Sequence, residues 1–87
     1  MDLFEALQDA SVIEINGDVI QKFEMADQGK TLEDGMFFNG YREDDEKPSF
    51  FMSQAGIENA VFHSDGYWET ACGIIECYVL TNIVDAI

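Results

Sequence analysis

Short apolar runs separated by turn residues give this chain the pattern of a small antiparallel sheet with helical punctuation. Leu3, Phe4 and Leu7 fall on one helical face, with Glu5 and Asp9 opposite and Ala6 and Ala10 adding helix propensity. A short helix capped by Asp2 and ending near Ser11 is predicted. Two turns are not stable alone, so its apolar stripe must dock.

Residues 12–15 and 19–25 read as a hairpin around Asn16-Gly17. A two-residue turn would pair Ile13 with Ile20 and leave Val19, Phe23 and Met25 on the face opposite Ile13 and Ile15. A three-residue loop with Gly17 in a left-handed bulge pairs Ile13 with Val19 and gathers all five on one face. Because register follows the apolar face, the bulged turn is the expectation.

Residues 26–35 form a polar connection, with a short strand at 30–32 and a turn at Asp34-Gly35. A strand at 36–38 then leads to Asn39-Gly40, read as a tight turn or bulge before Tyr41. Glu43 to Lys47 cannot pack and should face solvent, and Pro48 fits a loop entering an edge strand at 49–53. Residues 54–59 form a helical turn or loop, with Ser53 as its cap. Residues 59–63 and 67–71 make a hairpin around Ser64-Asp65-Gly66. The β-branched run 74–81 is the best central strand, and the apolar tail to Ile87 could pair or dock.

The fold class expected is α+β: one small antiparallel sheet, a meander of about five strands, with a short N-terminal helix and one further helical turn. Its 87 residues make a single domain, 1–87. At this size folding buries about 60–65% of the surface the unfolded chain exposes. Each aromatic doublet (Phe37-Phe38, Phe50-Phe51, Tyr67-Trp68) sends one ring to each face of a strand. One helix cannot cover them all. Either the sheet curls into a barrel or sandwich with core on both sides, or its second face meets another subunit or a partner, with Trp68 or Tyr41 as an aromatic anchor.

Composition confirms a core: 47% of residues are hydrophobic, so the high charge does not mean disorder. Charge changes the picture more. Eighteen Asp and Glu stand against four Lys and Arg, a net charge of -14. All four bases (Lys22, Lys30, Arg42, Lys47) lie before Pro48. Binding to phosphate backbones needs cations that displace counterions, so direct nucleic-acid binding and attachment to anionic membranes are excluded. The charge exceeds the magnitude of about 2–8 that keeps a small domain soluble, which points to a use beyond solubility; salt adaptation is the plain alternative.

Catalytic chemistry has little to build on. His63 is the single histidine, with Asp65 two residues on, and reads as a half-exposed strand residue before a turn. Cys72 and Cys77 are too few for a disulfide scaffold and read as reduced, mostly buried thiols. Three Cys and His residues cannot make a structural zinc site, and Glu43-Asp44-Asp45-Glu46 lacks the alternation and central Gly of a calcium loop. No lysine follows a Gly-rich loop to hold phosphate. The expectation is a protein that is not an enzyme and takes no metal or cofactor. No leader-like or membrane-spanning run is present, so a cytoplasmic location is expected, the host cytoplasm if a phage encodes the chain.

The acidity suggests a binding surface. Carboxylates on alternate strand positions repeat at about 6.6–7 Å, similar in order to phosphates set one per about 3.4 Å of helix axis. Glu33, Asp34, Glu43, Asp44, Asp45 and Glu46, with Tyr41 and Trp68 as anchors, are the candidate partner-binding residues. In size, charge and aromatic content the chain resembles small acidic inhibitors of phage or mobile-element origin, such as anti-CRISPR proteins and other nucleic-acid mimics, and the acidic immunity proteins or antitoxins that neutralise nucleases. That resemblance implies a basic nucleic-acid-handling partner, a nuclease or CRISPR effector subunit. An oligomeric structural or accessory protein, a homodimer for instance, is the alternative.

Overall fold

The computed structural model describes residues 2–79. Its elements, in chain order, are α1 (Leu3–Asp9), β1 (Val12–Ile15), β2 (Asp18–Val19), β3 (Lys22–Met25), β4 (Phe38–Tyr41), β5 (Phe50–Met52), α2 (Gln54–Glu58), β6 (Val61–His63), β7 (Tyr67–Thr70) and β8 (Gly73–Tyr78). The class is α+β with antiparallel pairing throughout, an N-terminal helix and a second short helix. The strands are shared between two sheets, one of order β2-β1-β8-β7-β6 and one of order β3-β4-β5.

Both helices begin as their caps dictate. Asp2 accepts the Glu5 amide at 2.9 Å, and Ser53 accepts the Gly56 amide at 3.1 Å. Leu3, Ala6 and Leu7 bury one face of α1. They join Ile13, Ile15 and Ile75 of the larger sheet, Phe38 and Met52 of the smaller with Phe37 just ahead of it, and Ile57 of α2 in one continuous core. A shared core is how segments this short become stable, since none of them could stand alone.

The bulged turn is not formed. Glu14 pairs with Val19 and Ile15 with Asp18, so Asn16-Gly17 is a two-residue turn, with φ of 53° and 87° at its two positions. The bulge was expected in order to bring Val19, Phe23 and Met25 onto the face of Ile13 and Ile15. The chain meets that demand differently: it changes sheets. The Ile20 amide donates to Ile13 of β1 at 2.9 Å, and the next amide, Gln21, donates to Tyr41 of β4 at 2.8 Å. Phe23 and Met25 therefore pack from the smaller sheet, and Val19 is left exposed.

Asn39-Gly40 is neither turn nor bulge; both residues lie in β4, the central strand of the smaller sheet. Gly40 is closely approached there: a β-carbon on it would sit 3.2 Å from Cε1 of the buried Phe38 ring, a tight contact, and 3.5 Å from Ile20 Cγ2. Residues 30–32 form no strand. β8 is central in the larger sheet and β5 is an edge of the smaller, as the pattern indicated. The rest of the run to Thr81 and the tail to Ile87 lie outside the described residues.

The doublets divide three ways. Phe37 packs on Phe4 (centroids 5.8 Å apart) and Phe38 stacks on Phe23 (5.6 Å), so both rings are core. Phe50 is half-buried while Phe51 is 55% exposed. Trp68 is buried against Phe62, at 5.0 Å, with Tyr67 on the opposite face.

Candidate functional site

Strand alternation and register fix what the smaller sheet shows to solvent. Phe23, Met25, Phe38, Phe50 and Met52 turn inward. The partners of the other parity, Lys22 opposite Tyr41, Glu24 opposite Asn39, and Asn39 opposite Phe51, make up the outer face. The preceding loop returns over this face, where its Leu32 amide donates to Met36 at 2.7 Å and the Gly35 amide donates back to Leu32 at 2.9 Å.

That loop delivers Asp34 to Asn39. One Asp34 oxygen accepts the Met36 amide at 3.0 Å and the other accepts Asn39 Nδ2 at 2.7 Å. These two bonds, the amide first, hold the Asp34 carboxyl below its ordinary value, so it stays ionised. Asn39 is 4% exposed, and its Oδ1 has no hydrogen-bond partner. Tyr41 donates its hydroxyl to Glu24 at 2.9 Å; that bond, helped by partial burial, raises the phenol so that it remains a donor. Lys22 Nζ lies 4.5 Å from the centroid of the Tyr41 ring. Together Glu24, Leu32, Glu33, Asp34, Asn39 and Tyr41 line a depression of ≈ 360 Å³.

A second depression, ≈ 380 Å³, adjoins the next residue along, with Asp18, Glu43 and Asp45 set around Arg42. The half-exposed Arg42 lies 3.6 Å from Asp18 and 3.6 Å from Asp45, pairings that offset its charge and, at such distance and exposure, contribute little to stability. The acidic run expected to be wholly solvent-facing has one exception. Asp45 is 18% exposed and accepts both the Ser49 hydroxyl, at 2.6 Å, and the Arg42 amide, at 2.8 Å. The hydroxyl bond foremost, then the amide, keeps its carboxyl below the usual value. Asp45 shapes the loop that Glu43, Asp44 and Glu46 display; all three are exposed.

Of the residues the sequence nominated, Glu33, Asp34 and Tyr41 meet in the first depression and Glu43 and Asp45 in the second, with Asp44 and Glu46 beside it. Trp68 belongs to the other sheet and to the core. Glu24, Asn39 and Asp18 were not nominated. Only their pairing brings them in, and pairing across a change of sheet leaves no local signal. His63 stacks on Tyr67 (centroids 4.6 Å apart) and contacts Glu69 Oε1 at 2.9 Å, away from both depressions. Among the described residues no three Cys, His, Asp or Glu converge as metal ligands, and no helix is long and apolar enough to cross a membrane.

No protein-family model, curated protein or solved structure matches the chain.

Proposed function

We propose that this protein is an acidic binding protein that occupies the nucleic-acid-binding surface of a basic target, in the manner of a nucleic-acid mimic. One observation carries the reading: carboxylates from three separate segments, Asp18 and Glu24, Glu33 and Asp34, and Glu43 and Asp45, line the two depressions at the adjacent residues Tyr41 and Arg42. The single arginine there is already flanked by two of them. Such a face steers a basic partner toward it and speeds encounter, while contacts at its centre set how long the complex lasts.

The test is affinity capture from bacterial lysate at low and high salt, followed by competition with the captured protein's own nucleic acid. The reading requires basic nucleic-acid-handling proteins that salt weakens and nucleic acid displaces. Reversal of Glu43, Asp44 and Glu46 to Lys, sparing Asp45 because it holds the loop, should release them. Capture unaffected by that reversal would remove the loop from the interface.

A second reading, self-association, is favoured by the outer face of the larger sheet, where Val19, Val61, Ile74 and Tyr78 are exposed on one side. Glu14, Glu69 and Glu76 share that face, so salt would strengthen self-association while weakening a basic partner's grip. Light scattering across a salt series separates the two.

A further inference from the structure

We infer that an apolar groove on the inner face of the larger sheet is the docking site of the chain's own residues 80–87, which follow the described residues. The groove lies on the other sheet from the acidic face and does not depend on it. Register puts six apolar side chains on one face: Ile13 is opposite Cys77, Ile15 and Trp68 flank Ile75, and Phe62 is opposite Trp68. Ile13, Ile15 and Ile75 are buried together with the α1 stripe. Toward β6 and the end of β8 the cover is thinner. There Ala6 and Asp9 of α1, with Phe62, Trp68, Cys77 and Val79, line a groove of ≈ 760 Å³, and Phe62 and Val79 are 55% and 65% exposed. Burial of such side chains is favourable in proportion to the apolar area removed from water.

The occupant follows from where the chain leads. Val79 itself lines the groove, so residue 80 starts at its edge. The sheet offers the following residues no partner among those described. β7 pairs β8 only as far as Ile75, and the last pair with β1 sets Tyr78 opposite Val12, the first residue of that strand. In the sequence, Leu80, Ile83, Val84 and Ile87 recur at i, i+3, i+4 and i+7, the spacing of one helical face, with Thr81, Asn82 and Asp85 off it. The stripe of α1, Leu3, Ala6 and Leu7, has the same spacing and is buried. Eight residues span about 12 Å as a helix and are too few to be stable unless the stripe docks. Two rival occupants fare worse. A second copy brings a net charge of -14 against another -14. A separate partner competes with a segment tethered at the groove, whose effective concentration is on the order of millimolar.

The test uses the whole chain, in which Trp68 is the single tryptophan. In nuclear Overhauser spectra the Trp68 and Phe62 rings should show contacts to methyl groups of Leu80, Ile83, Val84 or Ile87, and dilution should not weaken them. Ile83→Asp and Val84→Asp should each shift Trp68 emission to the red and speed its quenching by acrylamide. Asn82→Asp, off the stripe, should leave both as in the parent. Slow-exchanging amides in β8 report whether a variant is folded, and if neither stripe variant folds, the ring-to-methyl contacts in the parent decide. Absence of those contacts overturns the inference and leaves the groove to a separate partner. Contacts that fade on dilution overturn it in favour of a second copy. Equal quenching in folded Asn82→Asp and folded stripe variants overturns it as well.

Discussion

The side chain of Asn16 fills the space in which a β-carbon on Gly73 would stand. Asn16 sits there because its turn is docked onto the neighbouring β7–β8 connection. Its Nδ2 donates to Cys72 O at 3.2 Å, its Oδ1 accepts the Ile74 amide at 2.9 Å, and its own amide donates to Ile74 O at 2.8 Å. The two turns thus support each other at one end of the larger sheet.

Gly73→Ala should therefore destabilise the fold by about 3 kcal/mol, combining a φ of +125° that a side chain rarely adopts with the clash against Asn16. Asn16→Gly keeps the left-handed turn, loses the side-chain bonds, and should cost about 1–2 kcal/mol. In the double variant the clash is gone, so the losses should fall short of additive in urea unfolding. Strict additivity would show that the contact between the two is unimportant.

At Asn39, Val should leave stability within about 1 kcal/mol of the parent, because relief of the unpaired acceptor offsets loss of the bond to Asp34. Asn39→Asp should be clearly destabilising at neutral pH, with a carboxylate set against Asp34 in place of a donor. Acidification should narrow that gap as one of the two carboxyls takes up a proton. Urea midpoints at pH 7 and pH 4 test both variants, and a pH-independent loss in the Asp variant would contradict the pairing.

Asp45 has a folded pKa depressed below its unfolded value, so its contribution is fully present above about 3.8 and is lost as pH falls through the lower folded value. Acid also relieves the general repulsion of a chain with net charge -14, which acts in the opposite direction. The informative quantity is the difference between parent and Asp45→Asn. The parent should be more stable at pH 6, and its advantage should shrink toward pH 2. An advantage that is flat with pH would mean the Ser49 and Arg42 bonds do not depend on the charge.

Both thiols should be slow nucleophiles in the native state. Burial pushes Cys77 up to about 11, and burial also raises Cys72, which donates to Phe51 O at 3.0 Å. Iodoacetamide at pH 8 should modify Cys77 more slowly than Cys72, and both faster once urea unfolds the chain, with the larger gain at Cys77. Fast native-state labelling of Cys77 would indicate that its side of β8 opens readily.

The same dipeptide shows how far local pattern reaches. Asn16-Gly17 joins strands that pair with each other, so its turn preference and the tertiary structure agree. Asn39-Gly40 lies in the strand between β3 and β5, which pair with it from either side, so the extended backbone of the sheet overrides the turn preference of the dipeptide. The helix caps were legible because they depend on neighbours in sequence, and the central β8 and the edge position of β5 because a β-branched run and a proline mark such places. The acidic run was legible as charge. That Asp45 turns inward rests on its bonds to Arg42 and Ser49, which the charge pattern does not show. That Asp18 stands beside Arg42, and Glu24 beside Tyr41, depends on where the chain leaves one sheet for the other, and nothing between Val19 and Lys22 announces that point.

The hand-over at Ile20 and Gln21 also determines how the molecule comes apart. Consecutive amides serve different sheets, so β3 cannot unzip without pulling on the edge that β2 closes. With strands of two to six residues, neither sheet has independent stability. Slow-exchanging amides in β4 and in β8 should then report one shared opening event, the global one. A ligand gripping only the smaller sheet would raise protection in the larger sheet by the same increment, RT ln(1 + [L]/Kd), so occupancy of the acidic face can be read at amides far from it.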